Sequence, residues 1–252
     1  MKKIVALVLA LAMVLCAASC LADGKEWIIK TDTAFAPFEY TDATGTLVGI
    51  DVDILAAVAA DQGFAYTIEA IGWDASIAAC QAGLADGMIA GATIKESRIE
   101  SGWIFSDGYF DATQSMAVAA DSDITGFEGL AGQSVAVKIG TISYDYASSL
   151  AGTYGFTVVT FEASPDMYQA VLSGQCVACF DDTPIMADNI TRLGVGLKLV
   201  AGTENEPAAY GFAIFNPDNQ ELIDMFNAGL ANIKANGTYA EILAKYGLTV
   251  AE

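Results

Sequence analysis

The sequence predicts an α/β fold, and three observations carry it. Short apolar runs of strand length alternate with longer helical stretches along most of its 252 residues. Those helical stretches repeatedly stop at glycine, at Gly63, Gly83 and Gly174. The first apolar run after the N-terminal segment, Trp27-Ile28-Ile29, opens into Thr31-Asp-Thr-Ala-Phe-Ala-Pro-Phe-Glu-Tyr40, a proline-stiffened loop with three aromatics and an acid. A strand end followed by such a loop is where an open α/β sheet presents groups to a small ligand. Taken alone, the same loop also fits a hydrophobic plug of the core.

The elements follow in order. Gly45 and Gly49 bracket a turn and a short strand, and a helix over 51–62 starts on acids that suit its positive end. A strand over 66–70 leads to Trp73, and Asp74 is placed to cap a helix reaching residue 82. Residues 86–90 read as a strand ending in Gly91-Ala-Thr93. A second α/β series begins near Thr113, where Thr125 and Glu128 have capping-box spacing. Residues 134–138 form a strand, 139–143 a turn into a helix, and 156–161 a further strand. Ser164-Pro165-Asp166 supplies a cap, a first-turn proline and an acid for the next helix. The run Cys176-Val-Ala-Cys-Phe180 reads as a buried strand entering Asp181-Asp182-Thr183-Pro184, where proline again suits a helix start. Residues 210–215 form a strand, and helices over 218–235 and 238–246 close the chain, separated by Asn236-Gly237.

Composition narrows the function. Lys2 and Lys3, an apolar run over 4–15 and a small-residue exit to Ala22 have the form of an export signal over residues 1–22. That run falls short of the roughly 20 residues a bilayer crossing needs. Cleavage after Ala22 would release a soluble protein, and cleavage before Cys20 would leave a lipid-anchored one. Ala17-Ala18-Ser19 lacks the leucine usual before a lipidated cysteine, so the soluble form is expected. Without the signal the chain keeps 31 acids against 9 bases, a balance of −22. Nucleic acid is therefore an improbable partner, because phosphate binding needs a basic surface. Cys176 and Cys179 have the spacing of a metal or redox pair, but the chain has no histidine and no second such pair. Cys80, Cys176 and Cys179 read better as buried small hydrophobes, and neither metal nor cofactor is expected.

Six segments in order, Gly49-Ile-Asp-Val-Asp-Ile54, Ala90-Gly-Ala-Thr93 with Arg98, Phe105-Ser-Asp-Gly-Tyr109, Val137-Lys-Ile-Gly-Thr141, Asp182-Thr-Pro184 and Asn236-Gly-Thr-Tyr239, give the chain a family resemblance. With the opening loop, they resemble the bacterial extracellular solute-binding proteins, family 3, of polar amino-acid ABC importers, and most closely the glutamine binders among them. The resemblance implies a type II periplasmic-binding-protein-like fold of two lobes with the ligand in the cleft between them. Lobe 1 would comprise residues 23–110 and 209–252, lobe 2 residues 111–208, with crossovers near 108–112 and 208–212. It implies a monomer outside the cytoplasm that delivers an L-amino acid to membrane permease subunits.

Carried onto this sequence, the resemblance assigns a zwitterion site. Arg98 would clamp the ligand carboxylate, since a guanidinium donates two parallel bonds. Gly91, Ala92 and Thr93 would approach it through backbone and hydroxyl donors. Thr141 and Ile142 would add free N–H groups at a helix start, although the family often has glycine where Ile142 stands. Asp182 would pair with the ammonium; an N-cap for the following helix is its rival role. Phe35 and Trp73 match aromatics that sandwich the ligand stem, or else serve as core. Asp32 and Lys138 match the pair that reads a glutamine carboxamide, or else form a salt bridge of no ligand role. Asp181 stands where the glutamine binders have histidine, and its extra charge favours a cationic amino acid such as arginine or lysine. Glutamine is the expected ligand and a cationic amino acid the alternative. A dehydratase-like enzyme is the rival of a different class, because related two-lobed extracellular proteins include dehydratases and fold does not fix function.

Overall fold

The computed structural model describes residues 25–249. The expected export segment, both cleavage alternatives and Cys20 lie outside them. The chain runs β1 (Trp27–Thr31), β2 (Ala34–Phe35), β3 (Glu39–Thr41), β4 (Leu47–Val48), α1 (Ile50–Gln62), β5 (Tyr66–Ala70), α2 (Trp73–Gln81), β6 (Gly87–Met88), α3 (Glu96–Glu100), β7 (Ile104–Phe105) and β8 (Phe110–Ala112). It continues through β9 (Gln114–Ala119), β10 (Ser134–Lys138), α4 (Ile142–Tyr154), β11 (Thr157–Phe161), α5 (Ser164–Leu172), β12 (Ala178–Asp182), α6 (Thr183–Thr191) and β13 (Leu197–Leu199). The last elements are β14 (Ala208–Tyr210), β15 (Ala213–Ile214), α7 (Gln220–Ala235) and α8 (Thr238–Lys245).

These elements build the two-lobed α/β architecture of periplasmic binding proteins around two five-stranded sheets, ordered β5-β1-β6-β15-β7 and β11-β10-β12-β9-β13. In each, a parallel trio forms the α/β half: β1 lies between β5 and β6, and β10 between β11 and β12. The chain therefore leaves β1 for the edge at β5 and returns on the other side at β6. It repeats that path from β10 to β11 to β12. Each reversal is a topological switch point, where loops diverge and open a crevice beyond the strand C-termini. Antiparallel β8 and β14 form the two-stranded ribbon through which the chain passes between the sheets.

Strand alternation splits the second lobe's core into two layers. Val135 and Val137, Met116 and Val118, and Ala178 and Phe180 pack on one face with Leu130 and Phe156. Ala136, Ala117 and Cys179 face the other, against Met167, Tyr168 and Val171 of α5. The first lobe buries Ile50, Ile54, Leu55 and Val58 of α1 against Leu222, Phe226 and Leu230 of α7. The loop after β1 folds back onto α1: Gly49, at φ 141, lets Ile50 N–H and Asp51 N–H reach the carbonyls of Pro37 and Phe38. A Cβ at Gly49 would stand 2.0 Å from the Phe38 carbonyl oxygen. Only glycine fits that passage.

Several local expectations are corrected. Gly72, not Asp74, precedes α2, and Asp74 lies in its first turn. The residue before α5 is Ala163, so Ser164 is already helical and gives no cap bond. Thr125 and Glu128 build no capping box; a single 3-10 turn over Phe127–Leu130 stands there, because the chain turns at once into β10. The strand expected at 176–180 sits at Ala178–Asp182, with Cys176 ahead of it. Strands β9 and β13 and helix α3 were not anticipated; β9 and β13 owe their form to neighbours in the sheet rather than to local alternation. Cys80, Cys176 and Cys179 are free and buried, and no His/Cys/Asp/Glu group among the described residues is arranged to hold a metal ion.

Candidate functional site

The two switch points face each other across a cleft that twelve residues line. From the first lobe come Asp32, just past β1, and Ala90, Gly91 and Thr93 beyond β6. Phe35, Trp73 and Arg98 complete that wall. From the second come Lys138, the last residue of β10, Asp181 and Asp182 at the end of β12, and Thr141 with Ile142 at the start of α4. Of the twelve residues singled out in the sequence, the structure gathers all but Ala92 here. Ala92 is fully buried and packs with Trp103 and Ala213. Its carbonyl accepts from Gly211 N–H, while Ala90 lines the cavity instead.

Asp32 and Lys138 form a buried ion pair across the cleft. The second Asp32 oxygen accepts from Thr33 N–H at 2.7 Å. The Lys138 ammonium also lies 5.3 Å from the Phe35 ring centre and 5.8 Å from that of Trp73, within cation–π range. Gly91 makes room for this wall. At φ 54 its missing Cβ would stand 2.6 Å from the Phe35 ring.

Arg98 projects from α3 between Trp73 and Trp103, 5.1 and 5.0 Å from their ring centres. It donates to Thr93 O at 2.9 Å and, across the cleft, to Gly140 O at 3.4 Å. Burial lowers its pKa to about 10, with Asp182 opposing the shift, so it remains a cation at neutral pH. Two of five donors are used, and the rest suffice for a carboxylate. Thr141 spends its side chain on the helix start, donating to Lys138 O and accepting from Tyr144 N–H. Trp73 Nε1 donates to Gly140 O at 3.2 Å. These bonds tie the lobes together around the cavity.

Asp182 occupies the N-cap position of α6 but makes no capping bond. Its carboxylate instead accepts from Gln114 Nε2 at 2.7 Å, Ser143 Oγ at 3.3 Å and Tyr210 O–H. A carboxylate offers about four lone-pair sites, which leaves one for a ligand donor. Burial first, and the adjacent Asp181 second, push Asp182 up to about 6. Asp181 is raised by burial, and it accepts from Tyr168 O–H at 2.7 Å and from Asp182 N–H at 2.9 Å. Three acids and two bases thus line the cavity.

Tyr210, Gln114, Ser143 and Tyr168, which hold those two carboxylates, escaped the sequence reading. Gln114 sits opposite Asp182 in the β9–β12 register, so recognising β9 as a strand was the missing signal.

The model of the bacterial extracellular solute-binding proteins, family 3, matches residues 27–249. A probable histidine-binding protein from Neisseria gonorrhoeae is 29% identical over 225 residues, covering 88% of this chain and 83% of the relative. Among solved structures, the arginine-, lysine-, histidine-binding protein ArtJ from Geobacillus stearothermophilus superposes with a TM-score of 0.81 at 30% identity, covering 90% of this chain and 97% of that one. Substrate-binding domain 2 of GlnP from Lactococcus lactis, in an open conformation, gives a TM-score of 0.62 at 35% identity, covering 89% and 96%. The more identical chain is the poorer superposition, as expected when similar lobes sit at a different angle.

Proposed function

The chain belongs to the bacterial extracellular solute-binding proteins, family 3, and from that membership we propose that it serves an ABC importer by capturing a polar L-amino acid between its lobes. The proposed lobe boundaries fall between residues 110 and 111 and between residues 208 and 209. A monomer outside the cytoplasm, freed after Ala22 or anchored through Cys20, would hand its closed, loaded state to permease subunits. Binding without covalent chemistry is the proposed mode of action, and ligand recovered chemically altered after incubation would point to an enzyme instead.

Arg98 with Thr93, beside the close-packed Gly91, and with the N–H groups of Thr141 and Ile142 at the start of α4, holds the ligand carboxylate. Asp182 takes the ammonium through its remaining lone pair. Phe35 and Trp73 flank the stem. One observation supports glutamine as the ligand: the buried Asp32–Lys138 pair lies in the same cavity as these groups. Opening that pair onto a carboxamide gives Asp32 the NH2 as donor and Lys138 the oxygen as acceptor, so no buried charge is left unmatched. The second reading, a cationic amino acid, has two supports: Asp181 leaves the cavity one acid in excess, and two of the three relatives described above are named for histidine or for arginine, lysine and histidine. A cation would bring its charge towards Lys138, which costs on the order of 1–3 kcal/mol where a partner is repelled in a closed site.

Competition calorimetry with glutamine, glutamate, arginine, lysine and histidine decides between them. Glutamine should rank first, and Lys138→Met should erase that preference. Arginine or lysine ranking first would make Asp181 the determinant of specificity.

A further inference from the structure

Behind the cavity wall lies a second pair of acids that does not line the cavity. Glu39, in β3, is wholly buried, and neither of its carboxyl oxygens has a hydrogen-bond donor among the described residues. Asp51, in the first turn of α1, is equally buried. One of its oxygens, Oδ2, accepts from Gly91 N–H and from Tyr109 O–H, both at 2.8 Å. The other, Oδ1, is unpartnered, and Asp51 N–H donates to the carbonyl of Phe38, the neighbour of Glu39, at 2.9 Å, which sets the two acids side by side. Two charged carboxylates in that position would be prohibitively desolvated and mutually repelled.

Rather than leaving the pair doubly charged, we infer that Glu39 and Asp51 hold one proton between them, Glu39 donating to Asp51 Oδ1, and that the pair positions Gly91 and Thr93 in the cavity. The assignment of the proton follows from the donors. Asp51 already receives two, so it is the carboxylate; Glu39 receives none, so it is the acid. Desolvation and the Asp51 charge raise Glu39 well above the usual carboxyl range, and Asp51 is pushed up to about 6 by burial. The other charged or titratable groups facing the pair are Asp32, Lys138, Tyr109 and Tyr239. Lys138 and Asp32 are bound to each other, so their fields on Glu39 largely cancel.

The positioning follows from what Asp51 holds. Gly91 lines the cavity at a left-handed φ, and its N–H is fixed by Asp51 alone. Two residues later Thr93 O receives Arg98, the proposed carboxylate clamp. Tyr109, the second donor, immediately precedes the ribbon strand β8 and bonds through its N–H to Tyr210 O, while the Tyr210 hydroxyl donates to Asp182. A charge kept on Asp51 thus steadies both the carboxylate loop and the entry to the crossover. Glu39 and Asp51 act through these residues and are positioning groups rather than ligand contacts.

This inference rests on the amino-acid reading of the cavity for its functional half, and two measurements separate the halves. Infrared difference spectroscopy of ligand-free protein at about pH 7, wild type minus Glu39→Gln, should show a protonated carboxyl band that the variant has lost. Identical spectra would overturn the shared proton, whatever the cavity binds. Calorimetry with glutamine and with arginine then tests positioning. Glu39→Gln, whose amide still donates to Asp51, should stay within about twofold of wild type, whereas Glu39→Leu should weaken binding about tenfold or more. Should Glu39→Leu not fold, Tyr109→Phe, which removes one donor to Asp51, should weaken binding about threefold. Wild-type affinity in every folded variant would overturn the positioning role. Failure of the wild-type protein to bind either amino acid would instead sink the reading of the cavity and leave the spectroscopic result standing.

Discussion

Buried charges line this cavity, and the proposed roles of Arg98 and Asp182 make predictions at the scale of the residue. Arg98 is wedged between two tryptophans with donors to spare. Arg98→Ala should leave the fold intact and cost at least about 3 kcal/mol of binding, over a hundredfold, because a ligand carboxylate would be buried without its cation. Near-wild-type calorimetric affinity in the folded variant would remove Arg98 from the site. Asp182 is the more instructive case. Its folded pKa of about 6 lies above the ordinary carboxyl value, so the native state binds its proton more readily than the unfolded chain does. Stability of the ligand-free protein should therefore rise as pH falls from about 7 to 5, the reverse of an acid held in a salt bridge. Ligand affinity should move the other way, falling below about pH 6 as the ammonium loses its carboxylate partner. Asp182→Asn should raise the neutral-pH melting temperature by several degrees, at about 2–4 °C per kcal/mol for a chain of this size, while removing most binding. A variant both less stable and fully able to bind would contradict this account.

Elements deliver these residues because strand ends are rigid and glycines decide where loops pass. Asp32, Lys138 and Asp182 each sit at or next to the last residue of a strand buried among neighbours, so packing fixes their positions to within a side-chain rotamer. Gly49 shows how narrow the tolerance is. Its left-handed backbone and the Phe38 carbonyl 2.0 Å from a would-be Cβ mean that Gly49→Ala combines strain with overlap against main chain that cannot yield. The cost should be at least about 2–3 kcal/mol, seen as a fall in melting temperature of about 4–12 °C. An unchanged melting curve would show that the α1 entry can rearrange. Neighbouring elements likewise direct Asp182 away from the helix it precedes. Asp182 stands at an N-cap position, yet Gln114, Ser143 and Tyr210 from three other elements outcompete the helix for its oxygens.

At the scale of the whole molecule, the described state is a closed one. Trp73 and Arg98 of one lobe bond to Gly140 of the other, Lys95 pairs with Asp145 at 3.1 Å, and Asp32 pairs with Lys138. Exposed pairs of the Lys95 kind are worth about 0–1 kcal/mol, so most of the bias towards closure has to come from ligand contacts made by both lobes. A ligand shifts such an equilibrium only by its differential affinity for the closed state. Small-angle scattering should therefore show a larger radius of gyration for ligand-free protein and compaction on adding the amino acid. Equal radii, with the starting sample shown to be ligand-free, would mean that the cross-cleft bonds hold the lobes shut unaided.

Much of this was legible in the sequence, because it depends on local pattern. Alternating apolar runs and glycine stops marked the α/β class, and the loop after β1 marked the sheet end where a ligand is expected; Phe35, Trp73, Arg98, Lys138 and Asp182 were singled out through the family resemblance. The sequence could not separate the two fates of Asp182, cap or ligand group, since both need an acid before a proline-led helix. Tertiary structure took the capping bond away by bringing Tyr210 from nearly thirty residues away and Gln114 from a strand that has no local signature. It likewise moved Ala92 from the expected contact set into the core, because backbone hydrogen bonding to Gly211 turned that residue inward. Glu39 and Asp51 were both in view as parts of motifs, but nothing local reveals that two acids twelve positions apart meet in the core. Periodicity specifies what a segment becomes; which buried groups face each other is settled only when sheets, helices and crossovers close on one another, since the cost of an unpaired charge depends on every element around it.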